Sequence, residues 1–161
     1  MPQHARLSSR LSVQQVEEGL ALAPKFDRDG LIPVVTTDAD SGEVLMIATM
    51  DAEALLRTIA TREAHYWSRS RQRRWKKGAT SGLVQDVIEM RVDDDQDALW
   101  LRVRIRGSGA SCHVGYRSCF YRSVSLEPDE DGHQIRLRLE EAAKVFDPVE
   151  VYGDAPNPTR L

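Results

Sequence analysis

Long apolar runs, internal repeats and an excess of one charge are all missing from this sequence, and each absence excludes something. No stretch approaches the eighteen or so apolar residues that a membrane span needs. Met1–Arg10 lacks the apolar centre of a secretory leader. The expectation is a cytoplasmic protein without membrane attachment. Lysine plus arginine number 22 against 25 aspartate plus glutamate, so the net charge is −3. That excludes the strongly basic balance of a dedicated nucleic-acid coat, though not a local basic site. Cysteine is scarce, with Cys112 and Cys119 alone. In a reducing compartment two such thiols read as free or metal-binding rather than as a structural cross-link. What is present, 161 residues with 41% apolar and 29% charged, is enough to bury a core without disulfide or metal staples.

Three regions are expected. Residues 1–25 read as an N-terminal helical appendage. Ser12 and Gln15 have capping-box spacing, Val13, Val16 and Leu20 recur at helical spacing, and Pro24 ends the run. Residues 26–126 form the main body, and residues 127–161 a C-terminal extension whose Pro148, Pro156 and Pro158 keep it along the surface. In the body, Leu31–Val35 and Val44–Ala48 read as a hairpin around Asp38–Gly42. Asp51 is placed to cap a helix carrying Ala54, Leu55 and Ile59. Ala64–Ser68 reads as a short strand and 69–82 as a basic, glycine-punctuated loop. Val84–Val92 and Ala98–Ile105 are strand-like, and Phe120–Leu126 with Ile135–Leu139 form a further pair around residues 129–132. The sum is an α+β fold with a mostly antiparallel sheet and few helices.

Three clusters carry possible chemistry. In Asp93-Asp94-Asp95-Gln96-Asp97, an extended backbone would turn Asp93, Asp95 and Asp97 to one face and Asp94 to the other. Three carboxylates on one face repel unless a hard cation such as Mg²⁺ joins them; the bland alternative is a solvated acidic turn. An EF-hand is excluded, because Ala98 and Arg104 stand at its glycine and glutamate positions. In Cys112-His113-Val114-Gly115-Tyr116-Arg117-Ser118-Cys119, seven residues of straight helix would separate the thiols by about 10 Å. Both can hold one ion only if the segment folds back, which Gly109 and Gly115 permit. His113 beside them would serve as a general base or a further ligand, and two unrelated thiols are the plain alternative. The third cluster runs from Trp67-Ser68-Arg69-Ser70-Arg71 through Trp75-Lys76-Lys77-Gly78 to Thr80-Ser81-Gly82 and Gln85. Guanidinium and hydroxyl donors on a glycine-rich loop suit phosphate groups. The net negative charge favours a small phosphorylated ligand over a nucleic acid.

Taken in order, Phe26-Asp27, Gly30-Leu31-Ile32-Pro33, His65-Tyr66-Trp67-Ser68-Arg69-Ser70-Arg71, Trp75-Lys76-Lys77-Gly78, Thr80-Ser81-Gly82, the aspartate run and Cys112-His113 to Cys119-Phe120-Tyr121 closely resemble the phosphoribosyl-AMP cyclohydrolases. The resemblance spans about residues 26–123. It implies a homodimer with active sites at the subunit interface. The implied reaction is metal-dependent hydrolysis of the N1–C6 bond of the adenine ring of phosphoribosyl-AMP, in histidine biosynthesis. It also implies zinc held by three cysteines and Mg²⁺ at the aspartate run. Two of those cysteines fall on Cys112 and Cys119; the third, inside an Asp-Cys-Asp-x-Asp motif, falls on Asp94. A carboxylate there hardens the site and admits Fe²⁺ or Mn²⁺ beside Zn²⁺. Leu83 is a second departure, where the family commonly carries His or Asn. The expected catalytic residue is His113. The expected substrate contacts are Trp67, Ser68, Arg69, Ser70, Arg71, Trp75, Lys76, Gly78, Thr80, Ser81, Gln85 and Arg117. The alternatives are a relative acting on another N-ribosylated purine or cyclic amidine, or a non-catalytic nucleotide- or nucleic-acid-binding module.

Overall fold

The structure is a computed structural model and describes residues 5–127, 130, 132 and 134–161. Alternation decides the centre of its main sheet. In β1 (Leu31–Asp38), Ile32, Val34 and Thr36 face one way and are wholly buried. In β6 (Leu99–Ile105), Leu99, Leu101 and Val103 do the same. These two strands lie side by side and parallel, with Val34 opposite Leu99 and Thr36 opposite Leu101. The other pairings are antiparallel. β2 (Val44–Asp51) pairs with β1, and β3 (His65–Ser68) with β2. β4 (Arg73–Lys76) pairs with β3, and β5 (Gln85–Val92) with β6. The resulting order is β4-β3-β2-β1-β6-β5.

Local chemistry explains the connections. Asp38 Oδ1 accepts hydrogen bonds from the Asp40 and Ser41 amides, and Gly42 supplies the positive φ that closes the β1–β2 turn. Asp51 Oδ1 accepts from Ala54 N at 2.9 Å and starts α2 (Ala52–Thr61), which buries Ala54, Leu55 and Thr58. Ile59, expected on the same stripe, stays at the rim and is exposed. Thr58 Oγ1 donates to Ala54 O and accepts from His65 N, tying the helix to β3.

Several expectations are corrected. The basic stretch 69–82 is not all loop, because it holds β4. At the N-terminus, α1 (Val13–Glu18) is capped by Ser12 as its spacing implied. The helix stops before Gly19, so of Val13, Val16 and Leu20 only Val16 is buried. The aspartate run is a tight turn rather than extended chain, with Gln96 in the left-handed region at φ 57°. β7 (Arg122–Val124) and β8 (Leu137–Leu139) form the expected second strand pair. Asp129 and Asp131 of its expected turn lie outside the described residues. The proline-rich tail includes a short helix, α3 (Pro148–Tyr152), started by Pro148 and the Asp147 carboxylate.

Candidate active site

The segment from Ser111 to Cys119 folds back on itself. Ser111 N donates to Arg117 O, Cys112 N to Tyr116 O, and Gly115 N to Cys112 O, the last at 3.0 Å. Cys119 N then donates to Leu45 O, and Ser118 Oγ to Val44 O, both at 2.7 Å, which pins the far end to β2. The fold-back brings the two thiols close enough for each to shift the other's ionisation. The neighbouring Cys119 thiol lowers the Cys112 thiol to about 6 despite burial. The Cys112 thiol in turn drives the Cys119 thiol, which is exposed, upward. The shift favours the thiolate of Cys112, the ligating and nucleophilic form.

His113 follows Cys112 in the fold-back, but its ring nitrogens do not converge with both thiols within 4.8 Å in one chain. Its Nε2 is the one buried side-chain nitrogen or oxygen among the described residues without a hydrogen-bond partner. Burial and the Lys77 charge hold the ring below the ordinary imidazole range, against an opposing hydrogen bond with Asn157. An orphaned buried nitrogen is costly unless something occupies it in use.

The basic segment divides by strand alternation. Trp75 lies toward the core, its ring 5.1 Å from that of Tyr66. Lys77, one residue beyond β4, is 7% exposed; its Nζ donates to Ser111 O and stands 5.7 Å from the Trp75 ring centre. Burial pulls its pKa down, and the Cys119 and Cys112 charges pull it back. Lys76 points the other way and pairs with Glu63 at 2.5 Å. Lys77 is thus the cation that faces the thiols; Lys76, expected as a substrate contact, lies on the other face. Reading 73–76 as a strand, with its two-residue period, would have found Lys77.

A buried polar chain supports this floor. Thr36 Oγ1 and Tyr66 OH are 2.8 Å apart, Tyr66 OH donates to Gln85 Oε1 at 2.6 Å, and Gln85 Nε2 donates to Ser111 Oγ at 3.2 Å. Gln85, expected at the substrate, is wholly buried in this chain, with Met46 Sδ also 3.3 Å from its Nε2. Gly78 is held by packing: its φ is +86° and a Cβ there would sit 2.3 Å from Val84 N. Leu83 is buried as well.

Residues 46–121 match the family profile for phosphoribosyl-AMP cyclohydrolase. A phosphoribosyl-AMP cyclohydrolase of Rhodopseudomonas palustris (strain HaA2) is 55% identical over 142 residues, 88% of this chain and 93% of the relative. One from Nitrobacter winogradskyi (strain Nb-255) is 51% identical over 146 residues, 91% of this chain and 97% of the relative. This chain belongs to the phosphoribosyl-AMP cyclohydrolase family. A Brucella anthropi member is 60% identical over 112 residues, 70% of this chain and 79% of the relative.

Within that family setting the remaining expected residues are placed as follows. Trp67 and Ser68 sit on β3, half-buried; Ser68 Oγ accepts from Arg71 N and Nε, both at 3.3 Å. Arg69, Ser70 and Arg71 form the exposed β3–β4 turn, with the Arg71 guanidinium 5.7 Å from the Trp75 ring centre. Thr80 is exposed, and Ser81 Oγ accepts from Leu83 N. Arg117 pairs with Glu43 at 2.6 Å. The oxygens of Asp93, Asp95 and Asp97 lie within 4.8 Å of one another, the one such convergent group among the described residues. Asp93 Oδ1 accepts from Asp97 N and Ala98 N, which outweighs burial and lowers its pKa, while Asp97 is raised by its contact with Asp93. Asp94 joins neither this group nor the thiols within one chain.

The C-terminal extension braces the cysteine fold-back, a role no sequence pattern signalled. Glu141 accepts from Arg117 N and Ser118 N, each at 3.0 Å. Val145 N donates to Gly115 O at 2.7 Å, and a Cβ at Gly115 would lie 2.5 Å from Phe146 O.

Proposed function

We propose that this chain hydrolyses the N1–C6 bond of the adenine ring of phosphoribosyl-AMP in histidine biosynthesis; its relatives carry the name phosphoribosyl-AMP cyclohydrolase. The observation that carries the reading is the Ser111–Cys119 fold-back, which brings the two cysteines of the segment together and leaves His113 Nε2 buried without a partner. No helix among the described residues is long and apolar enough to cross a membrane, and a cytoplasmic location fits this biosynthetic role.

The donor sets fit two kinds of cation. Two neighbouring thiols, one shifted toward thiolate, suit a soft ion such as Zn²⁺. Three converging carboxylates suit a hard one such as Mg²⁺. Asp94 would complete the thiol set, and because it does not reach Cys112 and Cys119 within one chain, that role calls for a second copy. A homodimer with its active sites at the interface follows. The carboxylate admits Fe²⁺ or Mn²⁺ alongside Zn²⁺. A divalent ion held by three such ligands makes a water acidic enough to ionise near neutral pH.

The chain's own groups supply the rest. Held neutral by burial and by Lys77, His113 accepts a proton at Nε2 from the attacking water as its oxygen bonds to C6. It returns that proton to N1 as the N1–C6 bond breaks, and the remaining water hydrogen passes from the C6 hydroxyl to the exocyclic nitrogen, leaving C6 as a carboxamide carbon. Lys77 holds positive charge against the thiolate and, through Ser111, fixes the start of the fold-back. Arg69 and Arg71, with the Ser68, Ser70 and Thr80 hydroxyls, offer exposed donors for the two phosphates.

The test is ring opening of phosphoribosyl-AMP, followed by ultraviolet absorbance, with Zn²⁺, Mn²⁺ or Fe²⁺ returned to chelator-stripped protein plus Mg²⁺. Turnover is expected. Asp94→Ala abolishes it and Asp94→Cys retains it with Zn²⁺. Absence of turnover with every metal, from folded dimer, overturns the function. Full activity of Asp94→Ala overturns the ligand assignment alone.

A further inference from the structure

The aspartate turn is joined to a part of the chain far from it in sequence. Gln96, between Asp95 and Asp97, is 4% exposed and points away from the carboxylates into the N-terminal segment. Its Oε1 accepts from Ala23 N at 2.8 Å, and its Nε2 donates to Val16 O at 3.0 Å and Ala21 O at 3.3 Å. Its main-chain carbonyl accepts from Lys25 N at 2.7 Å, and its own N–H donates to Asp93 O at 3.2 Å. Both amide hydrogens and the amide oxygen are thus committed to residues 16–23.

The backbone explains why this matters. Gln96 holds φ at 57°, a left-handed conformation that a residue with a side chain keeps only where its surroundings hold it. That reversal turns the chain between Asp95 and Asp97, so that Asp93 Oδ1 receives Asp97 N and Ala98 N and the three carboxylates converge. The segment is itself secured: Arg10 donates to Ala23 O at 2.6 Å, and Ser8 N to Leu22 O at 2.8 Å. Asp95 also lines a shallow groove of about 300 Å³ together with Arg10, Ser12, Val16 and Glu17.

We infer that residues 5–25 are a brace for the acidic turn, and that Gln96 is a positioning residue setting the geometry in which Asp93, Asp95 and Asp97 meet a hard divalent cation. The cation role rests on the reading under Proposed function; the mechanical coupling does not.

The experiment uses the full chain, with Mn²⁺ alone as the probe. Its affinity is measured by electron paramagnetic resonance, and amide exchange is followed at Ala23, Lys25, Asp97 and Ala98. Gln96→Ala is expected to weaken Mn²⁺ binding about 10- to 100-fold, the usual cost of losing a group that orients a ligand. It speeds exchange at all four amides together while the thermal transition stays cooperative. Gln96→Glu keeps the acceptor for Ala23 N, loses both donors, and falls between. Arg10→Ala loosens the segment at Ala23 without touching the turn and acts in the same direction to a smaller degree; it decides the matter if Gln96→Ala does not fold. Faster exchange at Ala23 and Lys25, with Asp97, Ala98 and Mn²⁺ affinity unchanged, overturns the brace. If Asp97→Asn binds Mn²⁺ as the parent does, the cation reading fails. The exchange data still judge the coupling: joint loosening sustains it and separate loosening overturns it.

Discussion

Replacing Tyr66 by Phe tests whether the buried polar chain supports the site as argued. Thr36, Tyr66 and Gln85 are all wholly buried. The Tyr66 hydroxyl is 2.8 Å from Thr36 Oγ1 and donates to Gln85 Oε1 at 2.6 Å. Its removal takes a donor from Gln85 where water does not reach, while the ring keeps its packing against Trp75. An unsatisfied buried acceptor costs about 1–3 kcal/mol, so the expected loss of unfolding free energy is about 2 kcal/mol. By contrast, the Arg104–Asp40 pair is exposed, and Arg104→Ala is expected to cost less than about 1 kcal/mol. The assay is urea denaturation, read as a lowered midpoint with an unchanged slope. Because Gln85 also holds Ser111 Oγ, and Ser111 O holds Lys77, turnover falls with stability. A Tyr66→Phe protein within about 0.5 kcal/mol of the parent, the usual range for surface changes, refutes the reasoning.

The two neighbouring lysines separate by face: Lys77→Met is expected to cut turnover about 100-fold or more, whereas Lys76→Met changes it only a few-fold, both read as kcat under saturating metal. In metal-stripped protein, alkylation of Cys112 rises with a midpoint near pH 6, and Cys119→Ala moves that midpoint upward because the neighbouring thiol that lowers it is gone; rates against pH check it. Gly115→Ala forces a Cβ against Phe146 O at 2.5 Å from a positive φ, so it costs about 1–3 kcal/mol and frees the C-terminal extension, seen as faster proteolysis beyond Glu141. Asp86 lies below the ordinary 3.8 because Arg106 donates to it. Its contribution is therefore present above that value and lost as pH falls through the folded one. Arg106→Ala returns it toward 3.8, which carboxyl NMR titration measures.

Much of this molecule was written locally. The β1–β2 hairpin followed from its turn residues, α2 from the Asp51 cap, and β5 and β6 from their alternating apolar positions. The order of the motifs was enough to identify the family, because cysteine pair, aspartate run and basic segment recur together. Short-range rules failed where a longer element was hidden in polar sequence. β4 carries Arg73, Arg74 and Lys76, which look like loop until β3 offers an edge to pair with. With the strand missed, Lys76 and Lys77 could not be told apart.

By itself, then, the sequence determined the kind of chemistry this protein carries. Two thiols, a histidine, clustered carboxylates and a basic, hydroxyl-rich segment are properties of residue types and spacings. Tertiary structure alone decided which of them meet. The parallel β1–β6 pairing, Gln96 reaching back to Ala23, and Glu141 capping Arg117 and Ser118 all join residues distant along the chain. Such contacts form because buried donors and acceptors must be satisfied and apolar faces must be covered. Which partner satisfies them depends on the whole assembled fold, and no local pattern records it.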